Sequence, residues 1–427
     1  MIYTYRFIST LLYPVLVILI FFRKFLNKED RIRFKEKIFS STFLKSFNDQ
    51  KKLIWFHAAS IGEVQSIVPV VEKLNSKQIK YNFLITTVTF SSGRFIEEEF
   101  KQYSNITHRY LPLDVNFLIR KFISTWKPHA VILIDSEIWP NLIFNLRDKK
   151  IPISIINGRL TYRTFKRWMS IRNTAFKIFS IFDLILTSNL KTKEYFKKLG
   201  AKDVLYFGNI KFAQKLNIKE ITNINENILK TRNYWCAAST HNNEEKFCIE
   251  THIEIKKKLK NILTIIVPRH IDRSQEIKKL SLNYKLNTQI INKNDLILNN
   301  TEILIVNSFG ILPQFFKQAR SVFIGKSMLK KLKNDGGQNP ILAAQLGCKI
   351  YHGPYVFNFE DIYQFLKEKN ISKQIYSVNE LTSNILDDFR IKKNDSLHSQ
   401  ELIEKIGVTI LEKTTKKIDN FLNYENQ

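Results

Sequence analysis

Glu63 is the first residue on which chemistry can be argued. It closes the stretch Leu53-Ile54-Trp55-Phe56-His57-Ala58-Ala59-Ser60-Ile61-Gly62-Glu63, where an apolar run gives way to small residues and then to a carboxylate. The run predicts a buried strand, and apolar spacing from Val64 through Leu74 predicts a helix. In open α/β sheets such a loop lies beyond the carboxyl end of a strand, where ligands bind. A carboxylate near a helix N-terminus is favoured in its ionised form, and small residues let a ligand approach the backbone. Glu63 therefore either faces a ligand or only complements the helix dipole, and the loop alone does not separate the two. A second such place is Asp335-Gly336-Gly337-Gln338-Asn339-Pro340. Asn339 as N-cap and Pro340 at the first helical position predict a helix start. Its backbone N–H groups suit a phosphate, or belong to an ordinary capped helix.

The elements that position these residues alternate. Strands are predicted at Tyr81–Thr87, Ala130–Ile134, Ile151–Ile156, Leu184–Thr187 and Val204–Phe207, each followed by a polar cluster and, in most cases, a helix. After a polar, Asn-rich stretch from Asn217 to Lys230, read as a linker, the alternation resumes. Trp235–Ala238, Ile262–Val267, Ile303–Val306 and Ser321–Ile324 are its strands, and Ser399 to Leu422 closes the chain as a helix. Alternating strands and helices imply parallel sheets with right-handed crossovers. The polar clusters fall on one rim, and spacing assigns them no reaction.

At 427 residues the chain is long for one core, and two domains are expected. Against 39 Asp+Glu there are 67 Lys+Arg, a formal charge of +28 that favours anionic partners or reflects a Lys-rich composition. Basic residues are scattered, and no nucleic-acid recognition motif accompanies them. Three widely spaced cysteines, Cys236, Cys248 and Cys348, give neither a disulfide framework nor a metal knuckle. Phe7 to Phe22 is almost uninterrupted apolar sequence around Pro14, closed by Arg23-Lys24. As one helix it would reach roughly 24 Å, against about 30 Å of hydrocarbon. With no small-residue cleavage site after it, the run reads as an uncleaved anchor. The basic flank on its C-terminal side keeps the bulk of the chain cytoplasmic.

Taken together, the loops resemble those of the Kdo (3-deoxy-D-manno-octulosonic acid) transferases of lipopolysaccharide core assembly. The residues carrying the resemblance are His57 through Glu63, Ser136-Glu137-Ile138-Trp139-Pro140-Asn141, Asn157-Gly158-Arg159-Leu160 and Gly208-Asn209-Ile210-Lys211-Phe212. Ser239-Thr240-His241, Pro268-Arg269-His270 and Gly336-Gly337-Gln338-Asn339-Pro340 continue it over nearly the whole chain. The resemblance implies an α/β protein of the B-type glycosyltransferase fold, with two Rossmann-like domains facing across a cleft and an N-terminal membrane anchor helix. The expected boundaries are 1–30 for the anchor, 31–216 for the acceptor domain and 217–427 for the donor domain, whose closing helix typically crosses back. It further implies an inverting enzyme of the inner membrane that moves Kdo from CMP-Kdo to a lipid A precursor, with no metal or cofactor and no nucleic-acid partner. By the same resemblance Glu63 is the general base, and Glu137 and Lys211 support the transition state; His57, at the head of the loop, is expected to orient Glu63. Pro268, Arg269, Phe309, Gly310, Ile311, Asn339, Pro340, Ile341 and Leu342 match nucleotide-contacting positions.

Several positions depart from the family pattern. Leu342 and Ile311 stand where glutamates are usual, Ala213 replaces an Asp, and Ala238 a glycine. Leucine cannot accept a hydrogen bond from a ribose. The departures cluster on the donor side, so a non-catalytic lipid-binding paralogue that has lost the nucleotide site is the competing reading.

Overall fold

The computed structural model describes residues 2–44, 51–76, 81–214, 216, 220–333, 335–390 and 394–423. The chain divides into two compact units, residues 1–214 with 407–427, and residues 215–406. Part of the expected linker, 217–219, lies outside the described residues, and Glu226–Thr231 within it is helical.

The first unit is a parallel sheet of β1 (Lys52–His57), β2 (Tyr81–Thr87), β3 (Ile106–Tyr110), β4 (Ala130–Ile134), β5 (Ile153–Gly158), β6 (Leu184–Thr187) and β7 (Val204–Tyr206). Its order is β3-β2-β1-β4-β5-β6-β7. The central strands are apolar runs buried on both faces, as helices on either side of a parallel sheet require. Trp55 packs on Phe122 in this core, ring centroids 5.1 Å apart. Strand order reverses between β1 and β4, paired from Ile54↔Ala130 to His57↔Leu133. The loops leaving these neighbours run to opposite sides and open a crevice, the usual ligand position of such sheets.

The second unit repeats the plan with β8 (Asn233–Thr240), β9 (Ile262–Pro268), β10 (Thr288–Ile291), β11 (Ile303–Val306), β12 (Ser321–Ile324), β13 (Lys349–His352) and β14 (Ser372–Gln374). Its order is β10-β11-β9-β8-β12-β13-β14, all parallel, with the reversal between β8 and β12. Both units are thus Rossmann-like α/β sheets.

Two expectations change in detail. The second domain was expected to reach 427, but its compact unit ends at 406: the closing helix, Asn394–Asn423, expected to cross back, has residues 407–427 grouped with the first unit. The cause is its buried apolar face: Ile410 covers Gly208, and Gly407 lies so close to the Phe212 carbonyl that a Cβ there would stand 2.3 Å from it. The apolar N-terminus was expected as one anchor helix over Phe7 to Phe22. It forms two helices, Ile2–Leu11 and Tyr13–Phe25, bent by 53°. Pro14 lies at the start of the second helix, and its missing N–H and its ring both oppose an unbroken helix. Among the described residues no single helix is long and apolar enough to cross a membrane. Tyr5, Tyr13, Val17 and Ile20 turn inward, and Ile20 joins Phe34 and Ile38 in a small apolar cluster. Phe7, Ile18 and Phe22 point outward, 68%, 67% and 58% exposed.

Candidate active site

The crevice between β1 and β4 brings Glu63, Glu137 and Lys211 to one rim. Glu63 occupies the first turn of the helix Ile61–Ser76. Its carboxylate accepts from the Ala59 N–H at 2.8 Å and from the Ser60 hydroxyl at 2.6 Å. Its pKa is raised, chiefly by burial and next by the charge of Asp135, with Glu137 adding to both. The hydrogen bonds from Ser60 and Ala59 oppose the rise without cancelling it. A carboxylate held with an elevated proton affinity is a better base than a solvated one.

Asp135 was not singled out in the sequence. It follows β4 directly, with φ 54, a left-handed conformation that aims its side chain along the rim. One of its oxygens lies 3.1 Å from Lys211 Nζ, and the other accepts from Asn157 Nδ2 at 2.6 Å. Asn157 sits where the β5–β6 register shifts, also in the left-handed region, φ 56. This irregularity turns the amide toward Asp135 and lets its oxygen accept the Ile210 N–H at 3.1 Å. Lys211 is thereby fixed from both sides, through its ammonium and through its turn, Ile210–Ala213.

Glu137 occupies the loop between β4 and the helix Pro140–Asp148. Burial pushes its pKa up, but hydrogen bonds and charge from His57, with the Trp139 indole, outweigh this and leave it lowered. Trp139 Nε1 donates to Glu137 Oε2 at 2.8 Å, and His57 Nε2 lies 3.4 Å from the same oxygen. The other His57 nitrogen faces Thr86, 2.9 Å from its hydroxyl oxygen and 3.1 Å from its carbonyl. His57, expected to orient the Glu63 loop, orients Glu137 instead. The reason is strand order: β1 ends beside β4, so His57 reaches across to the loop that follows β4. The rim thus holds one carboxylate raised in pKa, one lowered, and one neutralised by a lysine. Groups driven apart in this way suit a base beside charge-stabilising partners.

On the second unit the loops after β8, β9 and β12 meet. Glu244, fully buried, accepts backbone N–H groups from His241 at 3.0 Å, Lys326 at 2.6 Å, Ser327 at 2.7 Å and Met328 at 2.9 Å. It ties the two loops of the β8/β12 reversal together, a role its place in an acidic first turn did not reveal. Glu245 takes Arg273 in a fork at 2.8 and 3.3 Å. The Arg269 N–H donates to the Thr240 carbonyl at 3.0 Å, and its side chain is exposed beyond Pro268. His241 and His270 stack edge to face at 5.6 Å. Burial, then the charges of Lys326, His270, Arg269 and Arg273, bring the His241 pKa down to about 4.

The remaining expected donor positions divide by exposure. Phe309 and Asn339 are exposed, Gly310 has open space beside it and φ 80, and Leu342 is half-buried. Ile311, Pro340 and Ile341 are buried, so any part they play with a ligand runs through the backbone. The helix there begins at Ile341, one residue later than expected, and Asn339 Oδ1 accepts the Ile341 N–H at 3.0 Å.

Residues 32–214 match the family model for 3-deoxy-D-manno-octulosonic-acid transferase (kdotransferase). The Rickettsia bellii 3-deoxy-D-manno-octulosonic acid transferase is 29% identical over 421 residues, 98% of this chain and 97% of that protein. Its Haemophilus influenzae counterpart is 31% identical over 320 residues, 74% of each chain. Among solved structures, a glycosyltransferase from Rickettsia africae shares the fold at 11% identity and TM-score 0.55, over 88% of this chain and 98% of that one. With this rim, two seven-stranded sheets of one plan and identity extending through both, the chain belongs to the 3-deoxy-D-manno-octulosonic acid transferase family.

Proposed function

We propose that this protein transfers Kdo from CMP-Kdo to a hydroxyl of a lipid A precursor, inverting the anomeric centre. The observation that carries the reading is Glu63, raised in pKa beside Asp135 and Glu137, with Asp135 paired to Lys211, at the β1/β4 reversal. Glu63 takes the proton of the acceptor hydroxyl as its oxygen bonds to the anomeric carbon. The bond from that carbon to the phosphate oxygen breaks, and CMP leaves with the electron pair. Lys211 and the Glu137 assembly present fixed charges and donors to the transition state without reorganising. On the second unit, the exposed Arg269 guanidinium suits the cytidylate phosphate. Loss of the ribose-accepting carboxylate at Leu342 alters donor contacts. It does not favour a non-catalytic paralogue, because Glu63 and the charged groups Asp135, Glu137 and Lys211 are all present.

The membrane reading rests on the N-terminal helices. Their inward faces dock on the first unit and their outward faces carry Phe7, Ile18 and Phe22. Such a pair suits attachment to a bilayer through its outward apolar face. Incubation with CMP-Kdo and a lipid A precursor tests the function. The acceptor is expected to gain the mass of Kdo with release of CMP. CMP release without a heavier lipid, or neither product, overturns the assignment.

A further inference from the structure

The helix Pro140–Asp148 begins with an N-cap residue, Trp139, whose side chain makes no capping bond. Its indole N–H is committed to Glu137. The missing cap comes from Asp114, in a loop 27 residues before Asn141. Asp114 accepts the Asn141 N–H at one oxygen and the Leu142 N–H at the other, each at 3.0 Å. Its carbonyl also takes Asn141 Nδ2 at 2.5 Å, and Asn116 accepts from Asn145 at 3.0 Å. A carboxylate at a helix start both satisfies free N–H groups and meets the positive end of the dipole.

Asp114 is in turn held from the N-terminal helix. The Tyr5 hydroxyl donates to Asp114 Oδ2 at 3.0 Å, and Ser9 Oγ accepts from Asn141 Nδ2 at 3.2 Å. The same helix carries the exposed Phe7 on its other side. One helix thus joins an apolar outer face to the segment that presents Glu137.

We propose that Asp114 is a positioning residue for Glu137, and that the first helix acts on the catalytic rim through Tyr5 and Asp114. The helix is then part of the active-site scaffold as well as an attachment, and seating it on a bilayer steadies the Glu137 turn. The inference rests on the reading of Glu137 given above.

The test compares full-length Tyr5→Phe, Asp114→Asn and Thr10→Ala, each alone and with Glu137→Gln, in the transfer assay. Thr10 is the control, since among the described residues its hydroxyl bonds to the Arg6 carbonyl of its own helix alone. Tyr5→Phe removes one hydroxyl and keeps the apolar face, so it serves if Asp114→Asn fails to fold. A misplaced catalytic segment costs about ten- to a hundredfold in kcat. Tyr5→Phe is expected to lower kcat on that scale with KM values and membrane sedimentation unchanged, and Thr10→Ala to leave both alone. In the Glu137→Gln background, Tyr5→Phe should add little further loss, because it acts through the same group. Wild-type kcat in Tyr5→Phe, or losses that simply multiply with Glu137→Gln, overturns the inference. Wild-type turnover in Glu137→Gln alone removes Glu137 from the reaction and the inference with it.

Discussion

Lys211 Nζ and Asp135 Oδ2 lie 3.1 Å apart at a rim assembled from residues 76 positions apart. Both side chains are mostly shielded, 14% and 16% exposed, so the pair is screened less than a surface ion pair. Asp135 neutralises Lys211 in the free protein and at the same time raises the proton affinity of Glu63. One carboxylate thereby conditions both the base and the cation.

Glu63→Gln should fold and bind substrates yet lose most transfer. The amide keeps an acceptor for the Ala59 N–H but cannot take a proton. General-base catalysis is worth about 10²–10⁴-fold, which sets the scale of the expected loss in kcat. Near wild-type turnover would remove Glu63 from that role.

The acid limb of the pH profile of kcat/KM should report Glu63. Because its pKa is raised, activity should fail on acidification at a higher pH than an ordinary carboxylate would give. Asp135→Asn removes a negative charge that favours the protonated form, so the limb should move to lower pH. Freeing the Lys211 charge acts in the same direction. A limb that stays in place would mean that Asp135 does not act on the base.

Arg269→Ala should weaken CMP binding, and Leu342→Glu should strengthen it by restoring an acceptor for the ribose. A hydrogen bond to a charged group is worth about 1.5–3 kcal/mol, about ten- to a hundredfold in affinity. Leu342 is half-buried in the first turn of its helix, so the new carboxylate would also meet the dipole favourably. Calorimetric titration with CMP reads both. Unchanged affinity in Arg269→Ala would take this residue out of the donor site. Weaker binding in Leu342→Glu would mean a site rebuilt around an apolar side chain.

Ile18→Asp with Phe22→Asp should release the protein from vesicles containing anionic lipid while its thermal midpoint holds. Both side chains face outward and are not part of the Ile20–Phe34–Ile38 cluster. Full sedimentation of this variant with vesicles would place the attachment elsewhere.

The sequence by itself determined the central strands and the residues at their ends. Tyr81–Thr87, Ala130–Ile134, Leu184–Thr187, Ile303–Val306 and Ser321–Ile324 form as expected, because a strand buried on both faces must be mostly apolar. Four strands were not legible: β3, β10, β13 and β14. Three lie at sheet edges with polar residues among them, such as Ser372-Lys373-Gln374, and the fourth is a short run beside an edge. Glu63 stood out in the loop after its own strand, and Glu137 and Lys211 could be picked through the resemblance of their loops to the family. Their partners could not. Whether His57 meets Glu63 or Glu137, whether Asp135 meets Lys211, and whether Asp114 caps a helix beyond its own loop depend on strand order and crossover path. These bring together residues separated by tens of positions, and no local periodicity records such a pairing. The break before the second helix follows from Pro14, but which faces turn inward was decided by packing, where Tyr13, Val17 and Ile20 found a surface to bury that an apolar run alone does not specify.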